Sequence, residues 1–192
     1  MPSSAEVIVS VVRCVSVLRV SFDIVVAADL DWGIGKANGL PWPRLREDMR
    51  HFKRLTSTAS AGRRNAIVMG RKTWESKEID RKPLPQRLNV VVSRSLYEVP
   101  QGVVAVRSLD EMLDISDVET LFVIGGAGLL LSALERSDLR FIYLTRIDAR
   151  FSCDVQMPNL DAEGFEKDAA WDGAATHTEH DVSYCVERLR RD

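Results

Sequence analysis

Six short runs rich in Val and Ile set the strongest constraint on how this chain can fold. They are "FDIVVAA" (22–28), "NAIVMG" (65–70), "LNVVVS" (88–93), "VVAV" (103–106), "LFVIGG" (121–126) and "FIYLTRI" (141–147). None alternates strictly between apolar and polar residues. That suits strands buried on both faces, as in a mostly parallel sheet with helices on each side. Helical periodicity fills the gaps at 45–56, 71–77, 108–116 and 127–136. The tetrapeptide "SLDE" (108–111) has the form of a capping box, with Ser108 as N-cap and Glu111 three residues on. After "WDG", the stretch "TEHDVSYCVERL" puts Val182, Tyr184 and Val186 on one face, which predicts a final strand in an antiparallel edge hairpin. No internal repeat or long linker divides the chain. The pattern predicts a single α/β domain over 22–192, large enough to bury a core without disulfide or metal support.

Composition narrows the function classes. A hydrophobic share of 45% and a charged share of 28% are those of an ordinary soluble globular protein. A net charge of −2 provides no basic field for nucleic acid. Three cysteines (Cys14, Cys153, Cys185) without paired spacing favour a reducing compartment, and cytoplasmic location is expected. No CxxC, HExxH or Cys/His cluster is present, so no metal site is expected. His51, His177 and His180 lie beside no serine or cysteine that would make a hydrolase triad. Residues 1–21 stand apart. "EVIVSVVRCVSVLRV" reads as a possible strand, is too short and too charged for a membrane span, and lacks a clear cleavage signal. We read it as an extension outside the domain, with a targeting peptide as the alternative.

The segment "WGIGKANGLPWPRLREDMRHF" (32–52) crowds three glycines and two prolines in front of one helix. With Leu45 at zero on a helical wheel, Met49 falls at about 40°, Phe52 at about 340° and Leu55 at about 280°, an apolar arc. Asp48 falls at about 300°, inside that arc. A carboxylate on a buried face is costly unless something pairs with it. It can cap a nearby loop, or it can face a ligand offering two N–H donors, the edge presented by an aminopyrimidine or pterin ring. Its place directly after a Gly- and Pro-rich loop favours the ligand.

Three further stretches have the chemistry of a ligand site. "VIGGAG" (123–128) ends a strand with Gly125, Gly126 and Gly128 and opens a helix, where backbone N–H groups can approach a phosphate. Glycines there can equally serve only close strand–helix packing. "MGRKTW" and "SRS" place Arg71, Lys72 and Arg94, with Thr73 and Ser93, just past the ends of predicted strands. Strand carboxyl ends are where open α/β sheets bind ligands. These groups suit a dianionic phosphate such as the 2′-phosphate of NADPH; the plainer alternative is solvated surface charge. Two charge-assisted bonds of about 1.5–3 kcal/mol each would give a preference over NADH of roughly 10²–10⁴. Finally, the "PLP" turn of "RKPLPQRLN" (81–89) can present Arg87 to clamp a carboxylate bidentately.

In this order the motifs resemble dihydrofolate reductase over about residues 22–190: "VVAADLDWGIGKANGLPWP", "LREDMRHFK", "IVMGRKTWES", "PLPQRLNVVVSR", "VIGGAG", "YLTRID" and "SYCVERL". The resemblance implies a central, mostly parallel eight-stranded sheet with an antiparallel C-terminal edge and helices on both faces. It implies hydride transfer from NADPH to C6 of dihydrofolate with protonation at N5, giving tetrahydrofolate for one-carbon metabolism and thymidylate synthesis. Asp48 matches the family's active-site carboxylate, with Thr145 hydrogen bonded to it and Trp42 completing the catalytic group. Val26, Ala27, Leu40 and Phe52 would line the substrate pocket, and Arg87 would hold the glutamate α-carboxylate. Arg71, Lys72, Thr73, Ser93 and Arg94 would take the 2′-phosphate. Gly125, Gly126, Ala127 and Gly128 would take the pyrophosphate, with Ala28, Ile34, Gly35, Gly70 and Ile124 completing the cofactor site. Residues 33–43 would be the mobile loop over the nicotinamide, its glycines supplying hinge freedom, while Ile34, Leu40 and Trp42 exclude water. Gly35 and Asn38 would act through backbone geometry. Asp154 matches a position that places loops. A monomer is expected, with neither a membrane nor a nucleic-acid partner. Because the chain ends soon after its last strand, no fused thymidylate synthase is expected.

Two positions depart from the family pattern. Leu130 stands where an aromatic hydroxyl is usual, and Lys77-Glu78 replaces Ile-Pro at the rim of the folate cleft. Two rival readings stay open. One is a reductase of the same fold acting on a pyrimidine intermediate of riboflavin synthesis, which needs neither the Asp48 helix nor Arg87. The other is a non-catalytic nucleotide-binding module, for which Leu130 and Lys77 are the best support.

Overall fold

The computed structural model describes residues 21–95, 97–113 and 117–191. The run at 6–20 and the last three positions of the expected 108–116 helix lie outside the described residues. Eight strands follow the order β10-β11-β7-β1-β6-β3-β4-β5. The centre comprises β1 (Phe22–Ala28), β3 (Arg64–Gly70), β4 (Leu88–Val92), β5 (Val103–Val106), β6 (Val118–Gly125) and β7 (Leu139–Ile147), all paired in parallel. The edge is antiparallel: β11 (Val182–Arg190) pairs with β7, and β10 (Thr176–Glu179) pairs with β11. A ninth, two-residue strand, β9 (Glu166–Lys167), also pairs with β11.

The Val/Ile runs form strands because both faces of the sheet are covered. Ile24, Ala66, Val68 and Val90 point to one side, where Leu109 and Met112 of α3 (Leu109–Leu113) and Leu130, Ala133 and Leu134 of α4 (Ala127–Leu134) close over them. Ile67, Met69 and Val91 point to the other, against Trp74 of α2 (Arg71–Trp74) and Leu55 of α1 (Arg46–Ser57). The α2 helix stops at Trp74, short of the expected 77, and residues 75–78 turn toward the 36–40 loop. At α3, the Glu111 amide meets Ser108 Oγ at 3.4 Å, but the Glu111 carboxylate accepts from the Arg107 amide at 2.8 Å, one residue earlier than a capping box requires.

A small second sheet escaped the sequence pattern. β2 (Gly33–Gly35) pairs antiparallel with β8 (Val155–Gln156) beside the main sheet.

Candidate active site

The α1 helix starts where the Pro-rich segment ends, and its N-cap residue, Leu45, has no side chain that can cap it. Glu179, at the end of β10, supplies the cap: its carboxylate accepts the Arg46 amide at 2.8 Å and the Glu47 amide at 3.0 Å. Leu45 and Thr56 are buried on the sheet side of the helix. Asp48 is half-buried between helix and sheet, and its carboxylate accepts a hydrogen bond of 2.6 Å from Thr145 Oγ1. Thr145 is buried on β7 and paired across the ladder with Ala27 of β1. Burial raises the Asp48 pKa above the ordinary carboxylate value; the Thr145 hydroxyl opposes that rise and the Glu179 charge adds to it.

Phe52 and Arg87 sit on the next part of α1 and the turn facing it. The Arg87 guanidinium lies 5.8 Å from the centre of the Phe52 ring. Its Nε donates to the Pro85 carbonyl at 2.9 Å and its Nη1 to Thr56 Oγ1, so two contacts aim it. Burial lowers its pKa. Met49, Phe52, Leu84, Pro85 and Arg87 line a cavity of about 610 Å³ with an otherwise basic mouth at Arg44, Arg46 and Lys53. Asp48 does not line this cavity. It borders one of about 300 Å³ on the opposite face of α1, with His51, His177 and Tyr184. Asp48 with Thr145 on one face of α1, and Phe52 with Arg87 on the other, are thus the two side-chain groups that the start of this helix presents.

At the carboxyl ends of the parallel strands, Gly70 pairs with Val92 and Met69 with Gly125, which brings three of the predicted segments to one edge. The Gly125–Gly126 peptide is cis, and Gly125 has φ +126°. A Cβ on Gly126 would stand 3.2 Å from Thr73 Oγ1, and one on Gly70 3.6 Å from the Gly126 nitrogen. A side chain is disfavoured at Gly125 by its backbone conformation and would crowd Thr73 at Gly126, whereas at Gly70 the contact is an ordinary one. α4 opens immediately afterwards at Ala127, with exposed Gly128 in its first turn and Ile124 half-buried before it. Arg71, Lys72 and Arg94 are exposed around this edge, while Ser93 Oγ lies 3.3 Å from Ser95 Oγ. The Arg71 guanidinium is 5.8 Å from the centre of the Tyr97 ring. The Thr73 hydroxyl lies against Gly125 and Gly126.

The 33–43 loop is tied at both flanks. Asp29 holds its root: Oδ1 accepts the amides of Asp31 (3.0 Å) and Gly33 (2.8 Å), and Oδ2 accepts the Phe151 amide (2.9 Å) and the Cys153 thiol (3.4 Å). Burial works against the Asp29 charge, but the three amides outweigh it and lower its pKa. The same neighbour, after burial, pushes the Cys153 thiol up to about 11. Asp154 accepts the Ala37 amide at 2.9 Å. Across the loop, Glu78 accepts the Leu40 amide at 2.9 Å and the Glu75 carbonyl accepts from Asn38 Nδ2 at 3.1 Å. Trp42 is buried with Leu45, Ile147, Val182 and Tyr184, edge-on to Phe151 at 5.9 Å. Ile34 is half-buried, and Leu40 is 42% exposed.

The glycines of this loop do not occupy its left-handed positions. Left-handed backbone in and beside this loop falls on Trp32, Ala37 and Asn38, whereas Gly33, Gly35 and Gly39 are not in that region. Gly33 is needed for space, since its neighbours leave none for a side chain. Both departures from the family pattern have a defined place. Leu130 is 1% exposed in the core below the sheet end, and Glu78 next to Lys77 bonds the loop. Val26, Ala27 and Ala28 run along β1 toward Asp48 and the loop root. Sequence reasoning gave no role to Glu179, Thr56 or Asp29, placed Tyr184 only on a strand face, and noted Glu78 only as a departure from the family pattern. Thr56 carried a signal, since at about 20° on the wheel it shares the apolar arc.

The chain matches the family model described as "Dihydrofolate reductase" over residues 21–191. It is 41% identical to dihydrofolate reductase of Schistosoma mansoni over 153 residues, covering 76% of this chain and 82% of that protein. The Rattus norvegicus dihydrofolate reductase is 37% identical over 151 residues, covering 74% of this chain and 81% of that one. With bifunctional dihydrofolate reductase-thymidylate synthase 1 of Arabidopsis thaliana, the identity is 39% over 182 residues. That match covers 89% of this chain but only 34% of the relative, so the chain spans about a third of the bifunctional protein. Among solved structures, Schistosoma mansoni dihydrofolate reductase superposes with a TM-score of 0.78 at 37% identity, over 91% of this chain and 100% of that one. The chain belongs to the dihydrofolate reductase family.

Proposed function

We propose that this chain carries out its family's reaction, the reduction of dihydrofolate to tetrahydrofolate, with NADPH as the nicotinamide cofactor and Asp48 as the carboxylate that serves the proton. The observation that carries this reading is the Asp48 side chain, half-buried and held at 2.6 Å by Thr145 beside the β1 wall of the cleft. There it would accept from N3–H and the 2-amino group of the pterin, a two-donor edge that offsets its desolvation. With a raised proton affinity, it would also organise the water that protonates N5. Val26, Ala27, Leu40 and Phe52 would flank the ring, and Arg87 would take a carboxylate at the far end, already aimed by Pro85 and Thr56.

The cofactor groove fits the residues present. Gly70, Gly125 and Gly126 leave backbone bare beside Thr73, room a phosphate would use. Arg71, Lys72, Ser93 and Arg94 would hold the 2′-phosphate that distinguishes NADPH. Thr73 would serve the pyrophosphate, since its hydroxyl faces the two glycines. Bound there, NADPH would supply the hydride received at C6. Closure of the 33–43 loop, with Ile34 and Gly35 against the nicotinamide, would exclude water.

We read residues 1–21 as an extension outside the catalytic domain; the family match begins at residue 21. We further infer a monomer and a cytoplasmic location; the free thiols of Cys153 and Cys185 suit a reducing compartment. No helix among the described residues is long and apolar enough to cross a membrane.

The test is dihydrofolate-dependent NADPH oxidation in wild type and Asp48→Asn. Oxidation in wild type with a loss of about 10²–10⁴ in the variant fits Asp48 in proton delivery. Full activity in Asp48→Asn would overturn its assignment. A folded protein that binds NADPH but oxidises none would return the choice to the two rivals.

A further inference from the structure

The corner that carries Asp48 is fastened by a pair of residues from the opposite end of the chain. Four amides of a helix's first turn need partners outside the regular ladder. In α1, those of Arg46 and Glu47 go to the two oxygens of Glu179 and that of Asp48 bonds toward the Tyr184 hydroxyl; the ladder itself begins with Met49, whose amide goes to the Leu45 carbonyl at 3.1 Å. Tyr184 also donates to Glu179 at 2.5 Å, so carboxylate and phenol form one unit. Their geometry is set by a two-residue turn, His180 and Asp181, both with positive φ (51° and 61°), which delivers Glu179 from β10 and returns the chain into β11. Two residues beyond Tyr184 on β11, Val186 pairs with Thr145, the residue that holds the Asp48 carboxylate. One strand therefore fixes Asp48 through its backbone and, by way of its neighbour on β7, through its side chain.

We propose that Glu179 and Tyr184 are positioning residues for the reduction: together they set where Asp48 stands and how tightly it holds its proton. The inference rests on Asp48 serving the proton. Two physical effects act in the same direction. An anion at the helix N-terminus offsets the positive end of the α1 dipole, which would otherwise favour the Asp48 carboxylate. Its charge also acts directly on Asp48. Bonds from Tyr184 and the two amides hold Glu179 ionised, with a pKa of about 2, so its charge is constant over the working pH range. The other titratable groups at this corner are Glu47, Arg50, His51 and Arg54 of α1, His177 of β10 and His180 of the turn. Glu47 and Arg50 pair with each other. Among the described residues, Glu179 is the charged side chain that accepts from the first-turn amides.

The experiment measures kcat/KM for dihydrofolate against pH, KM for NADPH and Tm in wild type, Glu179→Gln, Glu179→Asp, Tyr184→Phe and Asp48→Asn. In Glu179→Gln we expect kcat/KM to fall severalfold and the midpoint of its decline with rising pH to move down by roughly half a unit, with KM for NADPH unchanged. Glu179→Asp, which restores the charge, should bring the midpoint back toward wild type. A lowered Tm with an unmoved midpoint and kcat/KM within about twofold would make Glu179 a structural cap only and overturn the proposal. Should Glu179→Gln not fold, Tyr184→Phe decides: it keeps the carboxylate but removes the partner of the Asp48 amide, and undiminished kcat/KM there overturns the proposal. Asp48→Asn separates the two levels. If it stays active, the role of Asp48 fails; if it is inactive while Glu179→Gln behaves as wild type, only the positioning role fails.

Discussion

Gly33→Ala should injure this protein by overpacking against Cys153 and Asp29. Gly33 begins β2 at the root of the loop, and its φ lies outside the left-handed region, so the backbone itself would accept alanine. Space would not. The new Cβ would stand 2.4 Å from Cys153 Sγ, 2.5 Å from Cys153 Cβ and 2.9 Å from Asp29 Oδ1. Non-bonded heavy atoms prefer separations of about 3.5–4.0 Å, so the segment at Cys153 must retreat by about an ångström and the Asp29 carboxylate must shift with its four bonds. Overpacking of this kind costs about 1–3 kcal/mol. For a domain of this size, that lowers Tm by about 2–12 °C. Removing both offending Cys153 atoms requires Cys153→Gly, because alanine would leave the Cβ in place. A double-mutant cycle in denaturant should then show a favourable coupling of about 0.5–3 kcal/mol. Ile34 and Gly35 of β2 are the loop residues proposed to close on the nicotinamide, so Gly33→Ala should also raise KM for NADPH more than KM for dihydrofolate. A cost below about 0.5 kcal/mol, or a cycle without coupling, would refute the argument that Gly33 is there for space.

Two further outcomes follow from the Asp48 corner. Thr145→Val deletes the hydrogen bond that favours the carboxylate, so the pH midpoint of kcat/KM should move up, opposite in sign to Glu179→Gln; a downward move would contradict the assignment. Asp48→Asn should raise Tm at neutral pH while activity collapses. The folded-state pKa of Asp48 is raised, so its contribution to stability is fully present below the unfolded value of 3.8 and is lost as pH rises through the folded value. The advantage of the Asp48→Asn variant over wild type should therefore shrink on acidification, which thermal melts at pH 7 and pH 4 would check.

The parallel core was legible because burial on both faces demands the same residues throughout a strand. β1 and β5 coincide with their predicted bounds, and the other central strands differ by one to three residues at an end. β2 and β8 were not legible. At three and two residues they have no periodicity to read, and side chains such as Asp29 and Asp154 hold them. Asp48 showed itself by violating the apolar face of its own helix, and Arg87 by its stiff turn. The partners of Asp48 had no local signal: the resemblance named Thr145, and Glu179 went unnamed. They lie 97 and about 130 residues away, in strands whose register is set by the whole sheet. Local sequence can expose a misfit residue, but the partner that makes the misfit tolerable is chosen by topology.

That division explains why β11 matters more than its place at the end of the chain implies. In a purely parallel sheet, successive helices and strands meet the site only through their carboxyl ends and loops. An antiparallel strand added at the edge runs the other way, so it can bring its beginning to that same rim. β11 does so: Val182 and Tyr184 pack beside Trp42 and Leu45 at the start of α1, and Val186 lies beside Thr145. The hairpin that precedes it thereby reaches a helix terminus that no parallel element serves. If the corner works in this way, the one strand that runs against the parallel strands lets a half-buried carboxylate be held at both its backbone and its side chain, leaving its remaining oxygen for a ligand.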